Sequence, residues 1–197
     1  MTDQIAEISG INYRSSQITD TSMKKSTILS LAIVLLAVPA LGYKQADLDK
    51  LKAINQCIDC QLTEAPLYGV NLSKVNMRAA NLDFANLERA SLREANLVFA
   101  SLRGAYLIGA ELRYVNFSEG NLSGANLLDA NLTGAVMLGA DLQGANLTGA
   151  NMKEANLRQA NLKRAVLRGA TLDFADLQGA KFCNTIMPNG DTAIKDC

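Results

Sequence analysis

The residues of this chain that could do covalent chemistry are its four cysteines, Cys57, Cys60, Cys183 and Cys197. Cys57-Ile58-Asp59-Cys60 is a C-x-x-C, the spacing of thiol–disulfide exchange sites. Exchange needs a thiol of depressed pKa and usually a thioredoxin-like setting, which the flanking sequence does not supply. Gln61 stands where haem attachment would need His. A structural disulfide is the default reading of the pair, and thiol redox is its rival. An even number of cysteines in an exported chain suggests two disulfides.

The chain has no His. That removes Ser–His and Cys–His nucleophilic catalysis and every His-based metal site. Asp and Glu are scattered, and no Gly-rich phosphate loop precedes a helix. The sequence thus offers no catalytic residue, no cofactor-binding residue and no metal site, and we expect a protein that is not an enzyme.

What must position the cysteines is a repeat. Residues 60–184 form 25 units of five, with a bulky apolar residue at the centre of each. The centre is Leu in 20 units and Met77, Phe117, Met137, Met152 or Phe182 in the rest. Two positions earlier stands Ala in 20 units, and Cys60, Val70, Val75, Val115 or Gly120 in the others. The position between them is mostly Asn. We number the unit −2 to +2 about its centre.

A period of five fits neither regular element. On a helix the Leu residues would spiral around the cylinder; on a flat strand they would alternate faces. The pattern closes if the chain turns a corner once per unit, with −2 and 0 inward and −1, +1 and +2 outward or at the corner. Gly at +2, as in Gly104, Gly134 and Gly179, suits the third position of a type II turn. Units with Arg89, Glu94 or Phe99 there are expected to use a different turn. Val115 and Phe117 overfill one unit, and Gly120 reads as the compensation. Pro66, at −1, lies near an end, where a missing N–H is tolerable.

Segments such as Ala80-Asn81-Leu82, Ala125-Asn126-Leu127 and Ala140-Asp141-Leu142 resemble the A(D/N)Lxx signature of the pentapeptide-repeat family, over about two thirds of the chain. The resemblance implies an all-β solenoid: a right-handed quadrilateral β-helix with four units per coil. Here that means about six coils and a rod roughly 30 Å long, at ~4.8 Å per coil. On such a rod the two ends are far apart. One Cys₄ metal site within a monomer is then ruled out, and pairing of cysteines within each end is the expectation. Cys183–Cys197 would pin the tail over the last coil. Both ends resemble those of exported members of the family.

The rest of the chain divides around the repeat. Residues 1–22 are polar and match no pattern. Residues 23–42 read as a signal peptide: Lys24 and Lys25, an apolar run Ile28–Ala37, then small residues at Ala40 and Gly42. A signal starts near an initiator Met, so residues 1–22 read as a mis-assigned start before Met23. An uncleaved signal anchor and a buried helix of the folded domain are the alternatives. Residues 43–59 carry Leu48, Leu51 and Ile54 at helical spacing, read as a capping helix and linker over the first coil. Residues 185–197 form a short C-terminal cap. Asn-x-Ser/Thr at Asn71, Asn116, Asn121, Asn131 and Asn146 follows from the repeat and carries no glycosylation meaning.

Function is left to the outer surface. Lys74, Arg93, Arg113 and Lys153 share one face with Glu94, Glu154 and Asp173, which reads as a solvated mixed surface. Tyr68, Tyr106, Ile108 and Leu128 share another, a candidate interface for a protein partner or for a homo-oligomer. The net charge is zero, and the repeat holds 12 Lys/Arg against 11 Asp/Glu. No field points to nucleic acid or to a membrane surface. Some cytoplasmic relatives mimic DNA and modulate gyrase and other type II topoisomerases. That alternative needs a strongly negative rod in the cytoplasm, and this chain is neutral and carries a signal. The expectation is an exported, non-enzymatic interaction rod. The resemblance is to members in the thylakoid lumen or periplasm of photosynthetic organisms, free of the membrane once the signal is cleaved. The partner's identity is not written in the sequence.

Overall fold

A computed structural model describes residues 42–197. Residues 1–41, with the polar extension and nearly all of the signal-like segment, lie outside the described residues.

Tyr43 forms an antiparallel bridge with Leu62, and the Lys44 N–H donates to the Gln61 carbonyl at 2.9 Å. Helix α1, Gln45–Ile54, follows. Its Lys44 cap makes no side-chain hydrogen bond. It ends at Asn55, which adopts φ 51° and donates its N–H to the Leu51 carbonyl. Asn tolerates this left-handed conformation, which stops a helix. Leu48 and Leu51 are buried in the same apolar cluster as Leu62, Leu67 and Met77. Ile54, expected on that face, is 57% exposed. Asp47, in the first turn, accepts from the Gln61 N–H at 2.8 Å and ties α1 to the coil beneath it.

From Gln56 onward the backbone pairs with itself twenty residues later. Parallel bridges run from Gln56↔Asn76, through Asn81↔Ser101 and Asn121↔Asp141, to Val166↔Ile186. The ladder extends one unit beyond each end of the tract read from sequence. Cys57 thereby occupies a centre position and Cys60 a −2 position, and both point into the core.

The hydrogen bonds explain the repeat donor by donor, as in the unit around Leu82. The N–H groups of Leu82 and Phe84 donate to Ser101 and Arg103 carbonyls in the next coil, at 2.7 and 2.9 Å. Asn81 N–H donates to the Cys60 carbonyl in the preceding coil, and Ala85 N–H closes the corner on the Leu82 carbonyl. One donor remains, the +1 N–H of Asp83. The Asn81 side-chain oxygen accepts it at 3.0 Å. An unpaired backbone group costs about as much as a lost hydrogen bond, so Asn at −1 completes the account. Because the −1 N–H donates toward the preceding coil, Pro66 in the first coil gives up nothing there.

Every corner is of one kind, contrary to the expectation of two. Arg89, Glu94 and Phe99 adopt φ 55°, 57° and 62°, matching Gly104 and Gly109 at 61°. The N–H to carbonyl bond that closes the corner is present in both kinds of unit, as in Ala90 to Leu87 and Ala105 to Leu102. The ladder on either side dictates the turn. A non-Gly residue then accepts the left-handed strain, roughly 1 kcal/mol each.

Inside, the −2 and 0 side chains fill the coils from Leu62 to Leu167 with almost no exposure, except for part-buried Val70. Phe117 is fully buried in the column of Leu97 and Met137. A Cβ at Gly120 would meet the Phe117 and Ala100 carbonyl oxygens at 3.0 and 3.2 Å and the Leu122 side chain at 3.7 Å. In the last coil Leu172, Leu177 and Phe182 are only partly buried. Beyond them β1, Thr185–Ile186, pairs antiparallel with β2, Thr192–Ala193.

Candidate functional site

Because positions twenty apart stack, each outward position becomes a column, and the candidate interface is one side of the stack. Tyr68, Ile108 and Leu128 occupy +1 of that side and Tyr106 occupies −1, as expected. The tyrosines are exposed, Tyr68 by 48% and Tyr106 by 46%. Ile108 and Leu128 are half-buried. Tyr106 takes the place that elsewhere supplies the Asn acceptor. The Ile108 N–H has no such bond among the described residues, whereas Leu128 keeps its bond to Asn126 at 3.3 Å.

Sequence reasoning missed a second set of exposed rings: Phe84, Phe99, Tyr114 and Phe174. All stand at +2, so the column assignment was signal enough to find them. The corner turns them outward onto three different sides, so they form no stripe. Two lie close against glycine. A Cβ at Gly104 would come within 2.6 Å of the Phe84 ring, and one at Gly134 within 2.5 Å of the Tyr114 ring. Since non-Gly residues hold the same φ at other corners, the ring twenty residues earlier is the stronger reason for glycine at these two positions. Arg78 lies over the Phe99 ring at 5.1 Å and Arg113 over Tyr114 at 5.8 Å, in cation–π range.

The charged side is mixed. Lys74 pairs with Glu94 and Lys153 with Glu154, each at 3.6 Å and well exposed. Such pairs contribute about 0–1 kcal/mol. The Arg113 Nε is buried with no hydrogen-bond partner among the described residues. Asp176 is held below the ordinary carboxylate range, first by the Gln178 N–H it accepts and then by Arg158 at 3.2 Å. It performs the Asn role in its unit and is no candidate acid. Among the described residues no three His, Cys, Asp or Glu side chains gather as a metal site. No described helix is long and apolar enough to cross a membrane.

The Asn-x-Ser/Thr triplets have a structural cause. Ser118 and Thr148 donate their hydroxyls to the Asn116 and Asn146 oxygens at 2.6 and 2.7 Å, beside the backbone N–H that those oxygens already accept.

The cysteines come together two by two at opposite ends of the ladder. Cys57 and Cys60 sulfurs stand 2.10 Å apart, and Cys183 and Cys197 sulfurs 2.20 Å apart, both at bonding distance. The first two are fully buried; Cys183 is half-buried and Cys197 exposed.

A family described as pentapeptide repeats matches in eight copies, over residues 56–93, 90–127, 110–149 and 150–187. No curated protein matches. Among solved structures, a pentapeptide repeat protein of the cyanobacterium Cyanothece 51142 is 29% identical, with 72% of this chain and 97% of that chain covered and a TM-score of 0.30. One from Nostoc PCC 7120 is 32% identical, with 55% and 84% covered and a TM-score of 0.42. One from the Arabidopsis thaliana thylakoid lumen is 32% identical, with 53% and 70% covered and a TM-score of 0.26. The parallel ladder of twenty-residue period and the eight matching copies place this chain in the pentapeptide repeat family, whose members form right-handed β-helices.

Proposed function

We propose that this chain is an exported, non-enzymatic interaction protein. In this reading residues 23–42 direct export. Residues 43–59 cap the first coil, about six coils span 60–184, and residues 185–197 cap the far end. Both cysteine pairs are oxidised, and the protein works in the thylakoid lumen or periplasm. The side bearing Tyr68, Tyr106, Ile108 and Leu128 meets a protein partner.

One observation carries the interface. Tyr106 replaces the Asn that satisfies the backbone in most units, and it stays exposed beside half-buried Ile108 on the side of Tyr68. A residue that gives up a scaffold bond and leaves its ring in water is more readily explained by contact than by folding. A photo-crosslinking side chain at position 106 in the native host tests this against one at Gln143 on another side. Discrete protein adducts from position 106 alone are expected; equal adducts from both, or none, would remove the interface. Export is tested by the intact mass from the same host. A chain starting at Leu41 or Tyr43, about 4 Da light for two disulfides, is expected. A chain retaining residues 23–42 with four free thiols would reopen cytoplasmic functions.

A further inference from the structure

The two sulfur pairs differ in access. Cys57 and Cys60 are 0% and 2% exposed, in the apolar cluster that also holds Leu48 and Leu51 of α1. Cys197 is exposed. The tail it ends has little else to hold it. None of residues 188–197 is buried, and Ile194 is 72% exposed. The remaining ties are the β1–β2 pairing of two residues each, the Gly169 N–H to the Pro188 carbonyl at 2.9 Å, the Met187 N–H to the Asp191 carbonyl at 2.8 Å with the Gly190 N–H to the Met187 carbonyl at 2.9 Å, and the Phe182 N–H to the Asp196 carboxylate at 3.3 Å. A hairpin that short is marginal without a covalent tie.

The coil beneath is already open in part. The N–H groups of Leu172, Phe174, Leu177 and Gly179 occupy positions that in every earlier coil donate to the next one. Here they have no backbone acceptor among the described residues. Only the sides carrying Phe182 and Thr185–Met187 are covered, and the tail covers them.

We propose that Cys183–Cys197 is a redox latch, opened selectively by a dithiol reductant while Cys57–Cys60 stays oxidised. The inference rests on both pairs being oxidised, as proposed above. A thiolate of the reductant attacks the exposed Cys197 sulfur. The Cys183–Cys197 bond breaks, and Cys183 leaves as a thiolate. The second thiol of the reductant then attacks its partner sulfur in the mixed disulfide and releases Cys197. Two electrons pass to the protein, the reductant ends as its own disulfide, and both cysteines take protons from water. The freed tail withdraws Asp196 from Phe182 and Asp191 from Met187, and the last coil becomes an open strand edge on all four sides.

The test uses the chain from Tyr43 to Cys197 as purified. A non-reduced peptide map comes first. A Cys183 not linked to Cys197 there means that the reading of the cysteines has failed. Limiting dithiothreitol with alkylation then compares the two bridges. We expect Cys183 and Cys197 to be labelled at least about tenfold faster than Cys57 and Cys60, because exchange rates follow access. Hydrogen exchange on the selectively reduced protein should speed up at Phe182, Met187 and Thr192–Ala193 and stay unchanged from Leu82 to Leu162. Cys197→Ser without reductant should reproduce that exchange pattern. Equal reduction rates, or reduction with no change in exchange at the tail, would overturn the latch.

Discussion

The two ends of the ladder are closed by different means. At the first coil, α1 buries Leu48 and Leu51 in the core, Asp47 grips the Gln61 N–H, and the sulfur pair is enclosed. At the last coil, Leu172, Leu177 and Phe182 are partly open, Phe174 is 84% exposed, and the covering tail has no buried residue after Met187. One end carries buried apolar side chains, and the other an exposed segment ending at the Cys183–Cys197 sulfur pair. The ladder is polar and leaves different backbone groups unpaired at its two ends, but its inward side chains repeat alike, so the contrast in side-chain burial is the work of the flanking sequence. The amphipathic stretch before the repeat supplies a lid with two buried Leu. The stretch after it supplies buried Thr185, part-buried Met187, a short hairpin and a cysteine.

The sharpest way to break this contrast is to remove one Leu from each end. Leu51→Ala should cost about 2–5 kcal/mol in urea unfolding, as for a fully packed core residue. Leu172→Ala, already part-solvated, should cost less than half as much. Equal losses would show that the far end is as well packed as the near one. The next largest effect concerns the tail as a whole. A chain stopped after Pro188 should lose less than ~2 kcal/mol and keep its circular dichroism, since few contacts hold that segment. Loss of folding would make the tail part of the core.

Between the ends, the Asn acceptor gives a smaller and more general test. Asn121→Ala removes the partner of the Ser123 N–H and hydroxyl. It should cost ~1 kcal/mol, the net worth of a typical intramolecular hydrogen bond. Tyr106→Asn should gain a similar amount, and a loss instead would mean that the ring is part of the scaffold. The smallest effect is at Asp176 near the open end. Its folded pKa lies below the ordinary aspartate value of 3.8, so its contribution is complete above that value and fades as pH falls through the lower folded pKa. Asp176→Asn keeps an acceptor for Gln178 and removes the titration. Thermal melts from pH 5 to pH 2 should fall slightly less steeply for the variant, and parallel curves would leave the carboxylate without a stabilising role.

The interior was legible because it depends on side-chain size at a fixed period, and Leu82, Ala85 and Leu87 state it outright. The helix before the repeat was legible from Leu48 and Leu51, though not the outward turn of Ile54, which follows the chain's exit at Asn55. The corner residues misled. Gly104 and Arg89 look chemically opposed, yet the same ladder constrains both, and local preference loses to the hydrogen bonds of two neighbouring coils. The part played by Asn81 was hidden for a related reason. Only after the other four donors of the unit are assigned does the Asp83 N–H stand out as needing a partner. Of the candidate interface, the shared side could be read from the period. The half-burial of Ile108 and Leu128 depends on neighbours that the period does not name.

The twenty-residue register has a consequence for how such a chain can change. Four units bring the backbone back above itself, so Tyr68, Ile108 and Leu128 line up only while the count between them stays a multiple of twenty. Insertion of a single five-residue unit leaves every interior contact type intact and the backbone ladder unbroken. Yet it advances everything downstream to the next side, as one click turns a dial. The inward Ala and Leu positions keep their pattern through such a click, whereas any surface assembled from several coils, and any pair twenty residues apart such as Phe84 and Gly104, is scrambled by it. Gain or loss of single units therefore offers this architecture a means of re-sorting its exterior while its core stays the same.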